Sequence, residues 1–369
     1  MGSEELKTKA LNLLESLGAL PAISFWEDDV ALFVRTQLER LGLEPKADQY
    51  GNLLVHFPGF DRKQPSVALV AHMDHPGFEA TAALGEDIVA RALGGVPRAC
   101  FTQNAHVVLL DTNGHRLKGE LLGIHGPPED RMVTLRLHSP TTLEYPRPVI
   151  LDLPDYRVDG DRVSMRAADD LAGCASMLMV LEHAVKMQPP GDLYALFTRA
   201  EEVGLVGARL AAAEGRLPND CLVISLEASR TLPGAVIGEG AVIRVGDATY
   251  TFDAEAEQVL HKAKEELQAI DPKFKCQRQL MSGGTCEASA FAIHGYRTTG
   301  IAFPLENYHN STSDGEIAAE QISIADFVSG VTLLCQVLEC VPRRDDSPAR
   351  RRLRAVADDH RERLIRNSL

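Results

Sequence analysis

Five short stretches of the sequence carry residues able to hold a divalent cation or move a proton. They are "AHMDHPGF" at 71–78, "AADDLAGC" at 167–174, "TRAEEVGLVGA" at 198–208, "SLEAS" at 225–229 and "NYHNSTSDGE" at 307–316. The donors they offer are His72 and Asp74, Asp169 and Asp170, Glu201 and Glu202, Glu227, and His309. Each has a plainer role when taken alone. An acidic pair at a helix start caps the helix and complements its dipole, and a histidine at a strand end is commonly a surface residue. Their placement is what counts. His72 follows an apolar run at 66–71, Glu201 a strand at 192–198, Glu227 a strand at 220–226 and His309 a strand ending near Pro304, while Asp169 and Asp170 begin a helix. Parallel sheets bind ligands at the carboxyl ends of their strands. Several carboxylates gathered there repel one another and raise one another's pKa unless a cation neutralises them.

The elements that must position these residues read as follows. Leu6, Ala10, Leu13, Leu14 and Leu17, then Val30, Phe33, Val34, Leu38 and Leu41, repeat at helical spacing, and Gly42 supplies a stop. "GNLLVHFPG" and "PSVALVAH" read as strands bounded by Gly and Pro. From about 80 to 162, short alternating runs such as "AHVVLLD" and "RMVTLRLH" lie between Gly, Pro and Asn turns, the pattern of a small all-β domain. After that, helical and strand patterns alternate to the end of "ISIADFVSGVTLLCQVLECV". Alternation of this kind implies an α/β fold with a mostly parallel sheet covered by helices. The β-rich block therefore interrupts one α/β domain. The expected division is a catalytic domain at 1–80 and 162–342, an inserted β-barrel at 81–161, and an Arg-rich helical tail at 343–369.

Composition narrows the partners. The chain has 369 residues and a net charge of −14, so nucleic acid and anionic membranes are not expected to bind its surface. No apolar run approaches the roughly 18 residues of a membrane span. Seven cysteines stand singly without a CxxC pair, which argues against a disulfide framework and suits a reducing cytoplasm.

Taken in order and setting, the five stretches resemble those of co-catalytic metallo-aminopeptidases, and the chain is most similar to metallopeptidase family 42, the glutamyl and tetrahedral (TET) aminopeptidases. The resemblance runs from about residue 4 to residue 341 and includes the β-rich insert between the His-x-Asp and Asp-Asp motifs. It implies a zinc-peptidase catalytic domain with an inserted barrel, and hydrolysis of N-terminal residues from short peptides. It also implies two divalent metal ions per subunit sharing Asp169, with His72 and Glu227 completing one set and Glu202 and His309 the other. Mixed nitrogen and oxygen ligation suits Zn(II), with Co(II) or Mn(II) as other occupants. By the same resemblance Asp74 fixes the tautomer of His72, Glu201 is the general base, the Asp169–Asp170 peptide is cis, and the chain forms a homo-oligomer, a dodecameric shell among the forms allowed.

Some positions depart from the family pattern. Glu227 stands where Asp is common. His75 replaces a frequent Glu and is expected near the site without touching metal. In "SGGTCEASAF" Cys286 takes an Asp position and Glu287 follows; no adjacent His would activate Cys286 as a nucleophile. Two other functions use the same features: a di-metal deacylase of N-acyl amino acids, and a non-catalytic scaffold of the same fold.

Overall fold

The computed structural model describes residues 3–102, 104–139 and 141–368. Helices α1 (Ser3–Gly18) and α2 (Asp28–Arg40) lead into strands β1 (Lys46–Ala47), β2 (Leu53–Phe57) and β3 (Val67–His72). Six strands follow: β4 (Gly77–Leu84), β5 (Asp87–Leu93), β6 (His106–Leu110), β7 (Arg116–Ile124), β8 (Met132–Leu137) and β9 (Arg147–Leu151). They close a barrel in the order β4-β5-β8-β7-β6-β9. The chain then returns through β10 (Arg157–Asp159), β11 (Arg162–Met165), α3 (Ala168–Met187), β12 (Leu193–Thr198), α4 (Val206–Ala213) and β13 (Leu222–Arg230). It continues with β14 (Val242–Arg244), α5 (Ala254–Ile270), β15 (Gln277–Gln279), α6 (Glu287–Ala292), β16 (Arg297–Glu306), β17 (Glu320–Ser323) and α7 (Ile324–Cys340), and ends with α8 (Pro348–Arg354) and α9 (Asp358–Arg366).

The large sheet runs β1-β2-β12-β3-β13-β16-β17-β11-β10, with β14 and β15 attached beside β16. Its heart, β12-β3-β13-β16, is parallel, while its margins are antiparallel. All six residues of β3 are buried, as a strand covered on both faces requires. Val67, Leu69 and Ala71 face the layer of α1, α3, α5 and α7; Ala68 and Val70 face α4 and α6. This period-2 division between two cores is what a central strand between helical layers needs. Helix α3 is buried on every side from Ala168 to Leu181, inside the larger core, and reaches solvent only in its last turns.

Several boundaries differ from the sequence reading. The barrel strands run from Gly77 to Leu151, whereas β10 and β11, partly inside the expected 81–161 block, pair with each other and with β17 in the large sheet. The sequence pattern over 201–215 reads as one helix, but the helix begins only at Val206. Gly204 and Leu205 before it have φ of 116° and 58°, so Glu201 and Glu202 lie on a turn and not on a helix. Strand β13 runs on to Arg230, which places Glu227 within it; β3 pairs with β13 only as far as Ser225, so Glu227 still stands past the end of that pairing. One helical segment, Ile324–Arg343, is long and apolar enough to cross a membrane by composition, against expectation. Its apolar residues pack in the core against α1, α3 and α5. The tail forms two helices, because Ala355 is extended and separates α8 from α9. All seven cysteines are free.

Candidate metal centre

Five elements deliver the donors to one edge of the sheet. His72 is the last residue of β3, Asp169 lies in the first turn of α3, Glu201 and Glu202 follow β12, Glu227 lies in β13, and His309 follows β16. Three groups of side chains each bring ligand atoms within 4.8 Å of one another: His72–Asp169–Glu227, Asp169–Glu202–His309 and His72–Glu201–Glu202. Asp169 turns one oxygen to each imidazole, Oδ1 at 3.5 Å from His72 Nε2 and Oδ2 at 3.9 Å from His309 Nε2. Glu202 Oε2 is 3.3 Å from His309 Nε2, and Glu201 Oε2 is 3.9 Å from His72 Nε2. The Asp169–Asp170 peptide is cis.

The electrostatics are those of a site built around positive charge. Asp169 Oδ1 and Glu202 Oε1 are buried and accept no hydrogen bond among the described residues. Burial, followed by mutual repulsion with Asp169 and with Glu201, pushes Glu202 and Glu227 well above the ordinary carboxylate range. Burial also raises Glu201, against the attraction of His72. Burial alone would lower His72, but Glu201, Asp169 and Asp74 outweigh it and hold it well above the usual imidazole range. His309, less closely surrounded, is pulled down to about 4 by burial. Unpartnered oxygens facing two imidazoles fit one or more divalent cations, which would relieve the repulsion.

Two buried carboxylates hold this arrangement by its main chain. The Asp74 carboxylate accepts hydrogen bonds from Ser24 Oγ at 2.6 Å and from the Glu201 and Glu202 N–H groups at 2.9 and 3.2 Å. Its Oδ1 is 3.5 Å from His72 Nδ1, whereas its own carbonyl oxygen is nearer, at 3.0 Å. Asp74 therefore meets His72 more closely through the backbone than through its side chain. Glu320, on β17, plays the matching part on the other side. It accepts from the N–H groups of Ala168, Asp169 and His309 at 2.8, 3.0 and 2.9 Å. His309 has a φ of 53°, and Asn307 and Asn310 near it are also left-handed, at 55° and 58°, while Tyr308 is not; the Glu320 bond helps to hold His309 in that conformation. Glu27, also buried, accepts from Ala200 N and Arg199 Nε and so fixes the approach to Glu201.

The barrel reaches the site as well. Gly94 and Gly95 follow β5, and a Cβ at Gly95 would lie 2.0 Å from His309 Nδ1, while one at Gly94 would lie 2.9 Å from the Cβ of Glu202. His75 points away from the donors. Its Nδ1–H donates to Pro76 O at 2.8 Å and its Nε2 accepts from Ala22 N at 3.1 Å, and burial pushes it down to about 3, so it is a neutral structural residue. Cys286 is buried, and burial raises its thiol to about 12. Sequence reasoning missed Ser24, Glu27, Glu320 and the Gly94–Gly95 pair. Only Glu320 left a trace, as an acid beside an apolar strand.

The donors line two connected spaces. One is a narrow recess beside Asp169 and Glu227 that also holds Arg230 and Arg244; the other is a wider cleft of about 540 Å³ bordered by Leu205, Tyr250 and Ile293. Tyr308 stacks on His309 with ring centroids 3.8 Å apart.

Comparison with known proteins bears on the family and the fold. Residues 145–321 match the model of the M42 glutamyl aminopeptidase family. That span holds Asp169, Glu201, Glu202, Glu227 and His309, while His72 and Asp74 lie outside it. A curated protein of Acetivibrio thermocellus, provisionally named an aminopeptidase, is 22% identical over 348 residues, covering 89% of this chain and 98% of that one. A TET aminopeptidase of a marine-sediment archaeon of the Thaumarchaeota superposes with a TM-score of 0.76 at 19% identity, over 90% of this chain and 97% of its own. A TET1 peptidase of Pyrococcus horikoshii, described as assembling into a tetrahedron or a large octahedral shell, does so with a TM-score of 0.75 at 20% identity, over 89% and 99%. The expected resemblance to family 42, and the fold it implies, are borne out.

Proposed function

We propose that this chain is a metal-dependent aminopeptidase that removes N-terminal residues from short peptides. One observation carries the reading: His72, Asp169, Glu201, Glu202, Glu227 and His309, drawn from across the sequence, meet in overlapping groups within 4.8 Å. His72, Asp169 and Glu227 would hold one divalent ion, and Asp169, Glu202 and His309 a second. Two imidazoles among carboxylates suit Zn(II), with Co(II) or Mn(II) as alternatives. Cations held there would supply Lewis-acid activation of the scissile carbonyl and of a water. Glu201 then accepts a proton from the attacking water and returns it to the departing amine. Its main chain is anchored by Asp74, so its carboxylate is aimed without being needed as a ligand in either set. Asp74 is thus the positioning residue for both Glu201 and His72. The narrow recess takes the first residue, and the wider cleft takes the rest of the peptide.

Relatives of this fold that build shells support a homo-oligomer, and a dodecamer is our proposal for its size. The seven free cysteines suit a reducing cytoplasm. The decisive test is Glu201→Gln. The variant keeps its metal content and loses about 10²–10⁴-fold in turnover of aminoacyl anilides. Substantial residual turnover would mean the base is misassigned. Hydrolysis of N-acyl amino acids in place of aminoacyl anilides would transfer the assignment to a deacylase.

A further inference from the structure

The stretch 351–368 is exposed at every residue, large apolar side chains included: Leu353 at 81%, Leu364 at 74% and Ile365 at 67%. Its root is fastened to the body. Buried Ser347 donates through Oγ to Glu265 at 2.9 Å, Arg343 pairs with Glu266 at 3.1 Å and Arg350 with Glu255 at 2.9 Å, which seats the start of α8 against α5. Past the extended backbone at Ala355 comes α9, in which no residue is buried. The sequence nonetheless encodes a helix there. Asp358 and Asp359 stand in its first turn and Arg363 and Arg366 in its last, as the helix dipole favours. Arg361, Leu364 and Ile365 are spaced three and four residues apart and so share one face. Nine residues fall short of the roughly 12–15 at which an isolated helix becomes even marginally stable in water, so a further surface must complete α9.

Charge selects that surface. Residues 343–369 hold nine arginines against five acids, a net +4, which leaves −18 of the chain's −14 on the remainder. The acids of the tail are mostly engaged: Asp345 with Arg350, Asp346 with Arg351 and Glu362 with Arg366. Arg352, Arg354, Arg361 and Arg363 have no acid within 4.0 Å among the described residues. A nucleic acid or anionic membrane drawn to these arginines would be repelled by the acidic body in which the tail is rooted. A second copy of the chain offers that acidic body as the counter-charge.

We propose that α9 docks on the acidic body of a second copy of this chain, with Leu364 and Ile365 covered by it and Arg361 paired with its carboxylates. Arginine suits such a contact because its planar fork meets a carboxylate through two hydrogen bonds. The proposal adds an interface to the homo-oligomer proposed above and is independent of the reaction.

The experiment follows the zinc-loaded full chain by sedimentation velocity over a dilution series at low and physiological salt. Leu364→Asp combined with Ile365→Asp raises the dissociation constant of the assembly at least about tenfold. Arg361→Gln raises it about threefold or more at low salt and by less at physiological salt, because ions screen the lost attraction. All three side chains are exposed, so these variants fold. A photo-crosslinking residue, p-benzoylphenylalanine at position 364, gives a second readout. Irradiation yields a covalent dimer on a denaturing gel, with the cross-link mapped between α9 of one copy and residues before 343 of the other. An oligomer whose dissociation constant is the same in wild type and variants overturns the docking and leaves the homo-oligomer reading standing. Wild type that is monomeric at every concentration overturns both. A cross-link confined to one chain, or joining two tails, also overturns the docking. So does retention of wild type but not of the variants on polyuridylate or phosphatidylglycerol vesicles with no covalent dimer formed, which would assign α9 to a polyanion.

Discussion

Gly95→Ala isolates one contact between the barrel and the metal centre. The backbone at Gly95 lies outside the left-handed region, unlike that of Gly94 at φ 75°, so alanine fits it without conformational strain. The added methyl, however, would lie 2.0 Å from His309 Nδ1 and 2.6 Å from its Cε1. Ordinary contact is about 3.5 Å or more, so the imidazole must retreat by roughly 1.5 Å. Its main chain has little freedom to follow, being held at φ 53° with its N–H on Glu320. The ring instead tilts away from Glu202, now 3.3 Å from it, and from Asp169. A displacement of about 1 Å at a catalytic centre costs on the order of 100-fold. The expected outcome is a fall in kcat/KM of at least that size, a lower metal content by elemental analysis, and, with both proteins stripped of metal, an unfolding midpoint close to that of wild type. A Gly95→Ala protein with full activity and unchanged metal content would refute the seating of His309 described above.

Other outcomes follow from the same frame. Glu320→Gln leaves a donor facing N–H groups now satisfied by a carboxylate; metal affinity falls about 10–100-fold while the circular dichroism spectrum is unchanged. Removing metal with a chelator abolishes hydrolysis and lowers the unfolding midpoint, and added Zn(II) restores both, because bound cation stabilises the folded state by mass action. Asp155 accepts from Arg116 of the barrel at 2.6 Å and from buried Arg166 at 2.5 Å. Burial raises its carboxyl, but the two guanidinium groups outweigh this and leave it below the ordinary value. A lowered folded pKa means stability that is present above the unfolded value of about 3.9 and lost as pH falls through the folded one. Asp155→Asn therefore destabilises by about 2–3 kcal/mol near neutral pH, less than a fully buried pair because Asp155 reaches solvent, and the gap measured by urea unfolding closes below about pH 4.

The sequence carried the parts of this molecule that depend on local pattern. "VALVAH" announces a strand covered on both sides because six consecutive residues must be buried, and the donors at strand ends announce an edge site. Chain-local signals misled where distant residues decide the conformation. Glu201 and Glu202 look like a helix start, yet their N–H groups are taken by Asp74, far back in the chain, and the helix waits for Val206. Glu320 and Glu27 act on main-chain groups of residues remote in sequence, so no spacing rule marks them. The pair Gly94–Gly95 lacks the setting of a phosphate loop. Its meaning lies in the closeness of His309, which only the folded chain supplies. In the tail, Leu353, Val356, His360 and Leu364 suggest one stripe, but the extended backbone at Ala355 divides it.

Asp74 and Glu320 grip amide hydrogens, and an amide hydrogen is the same whichever residue bears it. The scaffold they form is therefore indifferent to the side chains mounted on it. Under the proposed ligation, exchanging one donor for another at positions 169, 202 or 309 alters the preferred ion without dismantling its support. Metal choice and structural integrity can then be tuned separately in this protein.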